Sequence, residues 1–152
     1  MNRRTLVLLS LALLACGAAL PAAAEDIVVT MQKTTRDGPG ADIGTVIIAS
    51  GTAGTTFQVN LHDLPPGVHG FHVHQNDDCG PILLNGVRIP AGAAGGHWDP
   101  GETGRHAGPD GDGHLGDLPV LTVAADGSAI ETLTAKRITK PDALKRRSLV
   151  IA

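Results

Sequence analysis

Short runs of apolar and β-branched residues, separated by turn-forming residues, follow one another along most of the chain. Four such runs occupy residues 26–32, 43–49, 56–61 and 68–74. The segments "RDGPGAD", "SGTAG" and "DLPPG" between them contain the Gly, Pro and Asp residues that favour tight turns. Two more strands are expected within residues 118–136, on either side of Asp126 and Gly127, and a helical turn with a last strand within residues 140–152. The pattern predicts antiparallel strands and an all-β fold.

The stretch from residue 75 to residue 117 breaks this pattern. It is rich in Gly, Pro and Asp, and it is longer than an idle connection inside a compact domain normally is. We expect it to be fixed internally, because it offers few apolar side chains for packing. The 152 residues allow one small domain, whose core must come from Val, Ile and Leu because Phe57, Phe71 and Trp98 are the only aromatic residues.

Residues 1–24 have the layout of an export signal: two arginines, an apolar run, and small residues at positions 22 and 24. Cleavage after Ala24 would leave a mature domain over residues 25–152. Two alternatives are a transmembrane anchor, which the Gly, Pro and Ala content of the segment weakens, and lipidation of Cys16 in "LLAC". Cys79 is then the only thiol of the exported domain, which is unusual where disulfides form readily. The formal net charge of −3 gives no reason to expect nucleic acid or, after signal removal, a membrane as partner.

Five of the seven histidines lie between positions 72 and 114, and this clustering is the main indication of chemistry. On a strand, Phe71 and Val73 would point into a core while His72 and His74 project together from the other face. Two imidazoles placed in this way can share one metal ion, although a bare His-x-His is also common on a solvated strand face.

The loop that follows offers a more specific pattern. His97, His106 and His114 recur at intervals of eight or nine residues, and Asp117 follows three residues later. Three imidazoles and one carboxylate make a complete tetrahedral shell for zinc, which would also fix a loop that cannot pack a core of its own. By contrast, His62 and His69 lack partners at suggestive spacings and are expected at the surface or the edge of the core.

The motifs "GFHVH", "CGP", "AGGHWDP", "GRHAGP" and "GHLGDLP" together resemble the copper/zinc superoxide dismutase family, in particular its bacterial periplasmic members. The resemblance extends from about residue 26 to the last residue. It implies a Greek-key β-barrel or sandwich with a long metal-binding loop, and an oxidoreductase that dismutates superoxide to oxygen and hydrogen peroxide as an antioxidant. It further implies a periplasmic location, copper and zinc as cofactors, and the homodimer that bacterial members often form.

The same resemblance assigns roles to individual residues. It implies copper ligands at His72, His74 and His97. It implies zinc ligands at His97, His106, His114 and Asp117. His97 would bridge the two metals and carry a proton during turnover. A fixed positive field would guide the anionic substrate. The basic run at residues 145–147 is nevertheless expected to be a solvated face, and Trp98 is expected to pack at the edge of the core.

The sequence also departs from the family pattern, which continues with a fourth copper histidine, a Gly-Gly-Asp segment, a channel arginine and a cysteine that pairs with the position of Cys79. Ala152 stands where the fourth copper histidine is expected. We therefore expect a barrel without its last strand, an unpaired Cys79, and marginal stability unless a partner chain supplies the segment. Activity is expected to be impaired, and a non-catalytic protein of this fold that binds zinc or copper is the alternative.

Overall fold

The computed structural model describes residues 25–152, and the predicted export signal, including Cys16, lies outside them. Most of the described chain is extended. The strands are β1 (Ile27–Thr35), β2 (Gly38–Gly51), β3 (Gly54–Leu61), β4 (Gly67–His69), β5 (Phe71–His74), β6 (Ile82–Leu84), β7 (Val87–Ile89), β8 (Leu121–Val123), β9 (Ala129–Ala135) and β10 (Ser148–Ile151). Two short 3₁₀ helices, Gly92–Ala94 and Pro141–Leu144, complete the elements. The prediction of an all-β fold is confirmed, and no helix among the described residues is long and apolar enough to cross a membrane.

The largest sheet is antiparallel and has the strand order β1-β2-β3-β9. Its register places Val46 opposite Val59 and Ile48 opposite Phe57, so that apolar side chains from neighbouring strands meet on one face. Three two-stranded ladders pair β5 with β10, β4 with β8, and β6 with β7. Within residues 25–152, β1 and β10 each pair along one edge only. An apolar cleft of about 800 Å³ lies between them.

The core lies between the large sheet and strand β5. Phe57 and Phe71 are fully buried, and their rings meet edge to face with centroids 5.8 Å apart. Val73 is also buried, as the alternation of side chains along a strand predicts for residues next to His72 and His74. The core therefore fixes β5, and with it the orientation of the two histidines on its other face.

Two details differ from the expectations drawn from the sequence. Residues 75–117 are not a loop throughout, because β6 and β7 form a hairpin around Asn85 and Gly86, both with positive φ. The basic run is not uniformly solvated: Arg147 is half-buried, and its guanidinium carbon lies 4.2 Å from the centre of the Trp98 ring. Trp98 itself is 8% exposed and packs against the core, as expected.

Candidate metal centre

Three backbone hydrogen bonds join the three segments that carry the predicted ligands. Val73 N–H donates to Gly116 O at 2.9 Å, Trp98 N–H donates to Val73 O at 2.8 Å, and Gly116 N–H donates to Trp98 O at 2.8 Å. Val73 lies between His72 and His74. Trp98 follows His97 directly, and Gly116 directly precedes Asp117. This closed set of hydrogen bonds places the ends of the histidine loop, residues 97–117, against strand β5.

Two glycines allow this close approach. A Cβ atom on Gly116 would lie 2.2 Å from Val73 O and 2.9 Å from Trp98 N, far inside contact distance. A Cβ atom on Gly70 would lie 2.6 Å from Cε1 of the His72 ring. The absence of a side chain at these two positions is therefore what lets β5, the loop backbone and the His72 imidazole pack together.

The predicted zinc ligands converge on one carboxylate oxygen. Asp117 Oδ1 lies 2.9 Å from Nδ1 of His97, 3.0 Å from Nδ1 of His106 and 3.4 Å from Nδ1 of His114. The two nitrogens of His97 and His106 are 3.3 Å apart. The structure thus brings together all four residues of the set that the sequence predicts for zinc.

These separations fit a tetrahedral ion. Bonds of about 2.0–2.1 Å place the ligand atoms of a tetrahedral zinc site roughly 3.3 Å from one another, and the measured separations run from 2.9 to 3.4 Å. Asp117 is 3% exposed, and its Oδ2 and the Nδ1 of His114 are buried without a hydrogen-bond partner among residues 25–152. Buried polar atoms without partners are costly, and an ion in this position would satisfy them.

The predicted copper histidines also lie against the His97 ring. The rings of His72 and His97 stack with centroids 3.9 Å apart, and the ring of His74 lies 5.1 Å from that of His97. Donor atoms of His72, His97, His106 and Asp117 all lie within 4.8 Å of one another, so the two groups of ligands adjoin. His97 is the residue common to both, because its Nδ1 lies 2.9 Å from Asp117 Oδ1 and its ring adjoins the rings of both β5 histidines.

Hydrogen bonds fix which ring nitrogen can bind a metal on this side. His74 Nδ1 lies 2.8 Å from Gly95 O and must donate to it, since a carbonyl only accepts. Its Nε2 therefore carries the free lone pair. His72 Nδ1 is buried and has no hydrogen-bond partner in the part of the chain that the structure describes, so that atom can act as a ligand.

The environment also keeps these groups in the protonation state that metal binding requires. Burial, assisted by the charges of His97 and His106, lowers the pKa of His72 to about 4. Burial likewise lowers the pKa of His74. For Asp117, burial acts in the raising direction, but the hydrogen bond from His97 and the neighbouring imidazoles lower its pKa overall. At neutral pH the site thus favours neutral His72 and His74 beside an ionised Asp117.

The remaining histidines and the thiol lie apart from this cluster. His62 pairs with Asp63 at 3.0 Å on the surface, and His69 Nε2 donates to Pro65 O at 2.7 Å. Cys79 is exposed and is a free cysteine in the described part of the chain. Both histidines therefore occupy the peripheral positions expected of them.

Arg147 has a part beside the site that no pattern in the local sequence indicates. Its guanidinium donates to Gln75 O at 3.0 Å and to Ala143 O at 3.2 Å while it stacks on Trp98. Gln75 follows His74, so one side chain contacts the neighbours of two predicted copper ligands. Only the folded chain brings these segments within reach of Arg147.

An all-β domain with a carboxylate and five clustered imidazoles defines a class of protein, a β-sandwich metalloprotein with a two-part site. Comparison with known proteins identifies the family. Residues 43–152 match the model of the family described as copper/zinc superoxide dismutase (SODC). The chain belongs to this family.

Individual relatives cover most of the chain. The "Superoxide dismutase [Cu-Zn]" of Brucella abortus is 49% identical over 133 residues, which are 88% of this chain and 77% of the relative. A second relative, "Superoxide dismutase [Cu-Zn] 2" of Salmonella typhimurium, is 47% identical over 99% of this chain and 84% of its own length. The solved Cu/Zn superoxide dismutase from Brucella abortus superimposes with a TM-score of 0.82 at 48% identity, covering 84% of this chain and 82% of its own.

Proposed function

We propose that this chain dismutates superoxide at a copper and zinc site. In this reaction two superoxide ions and two protons give one molecule of oxygen and one of hydrogen peroxide. The observation that carries the proposal is the position of His97, whose Nδ1 contacts Asp117 and whose ring lies between 3.9 and 5.1 Å from the rings of His72 and His74. Family membership and the names of the relatives support the same reaction.

The donor sets support a specific assignment of ligands. Zinc would be held by His97, His106, His114 and Asp117. Copper would be held by His72, His74 and His97. The first set has the nitrogen and oxygen donors and the spacing that zinc prefers, and the second consists of imidazoles, which suit copper.

Each group of residues has a separate part in the chemistry. Copper, when bound, supplies the alternating one-electron reduction and reoxidation. The Asp117 group orients His97 by engaging its Nδ1, so that Nε2 is the atom at which this residue can hold a proton and release it toward the forming peroxide. The hydrogen bond to Gly95 O orients His74, and the packing of Gly70 orients His72.

Superoxide turnover by the purified chain loaded with copper and zinc tests the proposal. After unbound copper is removed, we expect catalysis above the rate of the chain loaded with zinc alone, lost in His97→Ala and retained in His62→Ala, whose ring lies outside the cluster. Metal analysis of the same samples shows whether each variant still carries both ions. A wild-type chain that holds both metals but turns over superoxide only at the background rate would contradict the proposal.

A second candidate is a non-catalytic protein of this fold that binds or buffers zinc and copper. One observation favours it: the described residues bring four ligands to the zinc group but three imidazoles to the copper side. Stoichiometric zinc without measurable turnover in the experiment above would select this reading.

The cellular location follows from the same proposal. Residues 1–24 would direct export to the periplasm and be removed after Ala24, with lipidation at Cys16 as the alternative. The intact mass of the protein, measured separately in the membrane fraction and in the membrane-free fraction, tests this directly. A chain that begins at Glu25 is expected, whereas a lipid adduct on Cys16 would support the anchor.

Superoxide is the partner that this function requires, and a homodimer is the assembly we propose. Five exposed apolar residues on the β6 and β7 hairpin support self-association: Ile82, Leu83, Leu84, Val87 and Ile89. A solved relative from Salmonella enterica, with a TM-score of 0.77, is described as monomeric. Sedimentation of the wild-type chain and of Leu83→Gln is expected to show a dimer that the substitution weakens, and a monomeric wild-type chain would overturn the assembly.

A further inference from the structure

Arg137 connects the sheet to the histidine loop without being one of the proposed ligands. It lies two residues beyond the end of β9, and its side chain is half-buried. Its Nη1 donates to His114 O at 3.0 Å and its Nη2 donates to Gly113 O at 2.8 Å. The two nitrogens of one planar group therefore bind two consecutive carbonyls, a geometry that a guanidinium satisfies and an ammonium does not.

The base of this side chain is rigid. Ile138, the next residue, is 2% exposed and accepts a hydrogen bond from Thr55 N at 2.8 Å. Ile138 N also donates to Ala135 O at 3.3 Å at the end of β9. Arg137 thus extends from a backbone segment that is tied to both β3 and β9 of the large sheet.

The contacted end of the loop is closely packed as well. His114 N donates to Arg105 O at 2.8 Å, and a Cβ atom on Gly113 would lie 2.1 Å from the same oxygen. A movement of the Gly113 and His114 carbonyls would therefore also move the backbone beside His106. The positions of the His106 and His114 imidazoles therefore depend on one local backbone arrangement.

Other links between this part of the loop and the sheet are weaker. Lys136 Nζ lies 3.2 Å from Asp110 Oδ1, but both side chains are about two-thirds exposed. Exposed ion pairs contribute little because water and salt screen them. The hydrogen bonds of Arg137 are partly shielded from water and made by a charged donor, so they are the stronger link.

We infer that Arg137 is a positioning residue for the zinc site, which holds the backbone of His114 so that the loop ligands are in place before an ion binds. The inference rests on the zinc assignment proposed above. Residues that orient ligands from outside the coordination shell typically change metal affinity by about 10- to 100-fold when they are replaced. Because Arg137 acts through a backbone carbonyl rather than on the imidazole itself, we expect the lower end of this range.

The test is competition for zinc between the zinc-loaded full chain and a chromophoric chelator. Arg137→Gln is expected to weaken zinc binding about 10-fold, and Arg137→Lys to weaken it less, since one ammonium can serve one carbonyl. Arg105→Gln is the matched control, because it removes a guanidinium from the same loop. The Arg105 guanidinium pairs with the exposed Asp112. This control is expected to bind zinc within about twofold of the wild-type chain.

A second measurement separates positioning from a general loss of structure. With cobalt(II) in place of zinc, the visible absorption bands report the geometry of the ligands, and we expect them to shift in Arg137→Gln but not in Arg105→Gln. If Arg137→Gln fails to fold, Arg137→Lys still supplies the affinity and the spectrum. Unchanged affinity in the Arg137 variants, or an equal loss in Arg105→Gln, overturns the inference alone. A wild-type chain that takes up no zinc overturns the zinc assignment along with it.

Discussion

Replacement of Gly116 by alanine tests the backbone arrangement on which the site depends. The added methyl group would start 2.2 Å from Val73 O, whereas ordinary contacts lie at 3.4 Å or more, so the two segments must separate by about 1 Å. Such a movement disrupts the hydrogen bonds that Gly116 makes with Val73 and Trp98. Two backbone hydrogen bonds of about 1 kcal/mol each, with some cost for buried groups left unpaired, give a loss of about 2–4 kcal/mol.

The assay is unfolding in urea and by heat, with and without bound metals. A loss of this size corresponds to a decrease in Tm on the order of 10 °C for a domain of this length. Bound zinc and copper should also be lost more readily, because Gly116 precedes Asp117 and Trp98 follows His97. The two effects are expected together since one displacement causes both.

Gly96→Ala is the matched control for this substitution. Gly96 precedes His97, yet a Cβ atom there would meet no atom within 4 Å. It should change the free energy of unfolding by less than about 1 kcal/mol and leave metal retention unchanged. If Gly116→Ala is as stable as this control, the close approach of the three segments is not what holds the site together.

Three further predictions concern the ligands and their surroundings. Asp117→Asn should weaken zinc binding by on the order of 100-fold. A structural zinc site has a binding free energy of about 10–16 kcal/mol, which gives roughly 3 kcal/mol for each of four ligands. Chelator competition measures this, and unchanged affinity would refute the proposed role. The metal-free chain should lose up to about 3 kcal/mol of stability as pH falls from about 6.5 toward 4. The reason is that the folded state keeps His72 neutral, with its pKa near 4, while the same residue takes up a proton in the unfolded state. Equal urea midpoints at pH 7 and pH 5 would contradict this. Arg147→Met should lower copper retention about 10-fold, spare zinc and shift the fluorescence of Trp98, whereas Arg146→Met, at a side chain 90% exposed, should do none of these.

The local patterns in the sequence predict the elements that carry the ligands. Alternation along residues 71–74 places Phe71 and Val73 in the core and the two histidines opposite, because strand geometry alone requires it. The spacing of the loop histidines and Asp117 predicts a shared ion, since that segment offers few apolar side chains for packing. Both patterns lie within short stretches of chain, which is why one sequence is enough to find them.

The hairpin of β6 and β7 was missed although its turn was visible in the sequence. Asn85 and Gly86 form the dipeptide that two-residue hairpin turns favour. Residues 82–84 are all apolar and do not alternate with polar residues, and every residue of both strands is exposed. Without a buried face, the strands lack the periodicity by which a strand is normally recognised.

The parts played by Arg137, Arg147 and Gly116 depend on tertiary structure and could not be read from local sequence. Arg137 lies more than twenty residues along the chain from the carbonyls it binds, and Arg147 lies 72 residues from Gln75. Nothing in the local sequence distinguishes these arginines from exposed ones such as Arg146. Gly116 likewise resembles any loop glycine until the backbone of β5 is placed against it.

The central claim is that His97 joins a zinc group and a copper group on its two sides. Anomalous diffraction from crystals of the chain loaded with both metals, measured at the copper and zinc absorption edges, tests this most directly. We predict a zinc peak among His97, His106, His114 and Asp117, and a separate copper peak facing His72 and His74 across the same imidazole. A single peak, or copper bound away from the ring of His97, would contradict the account.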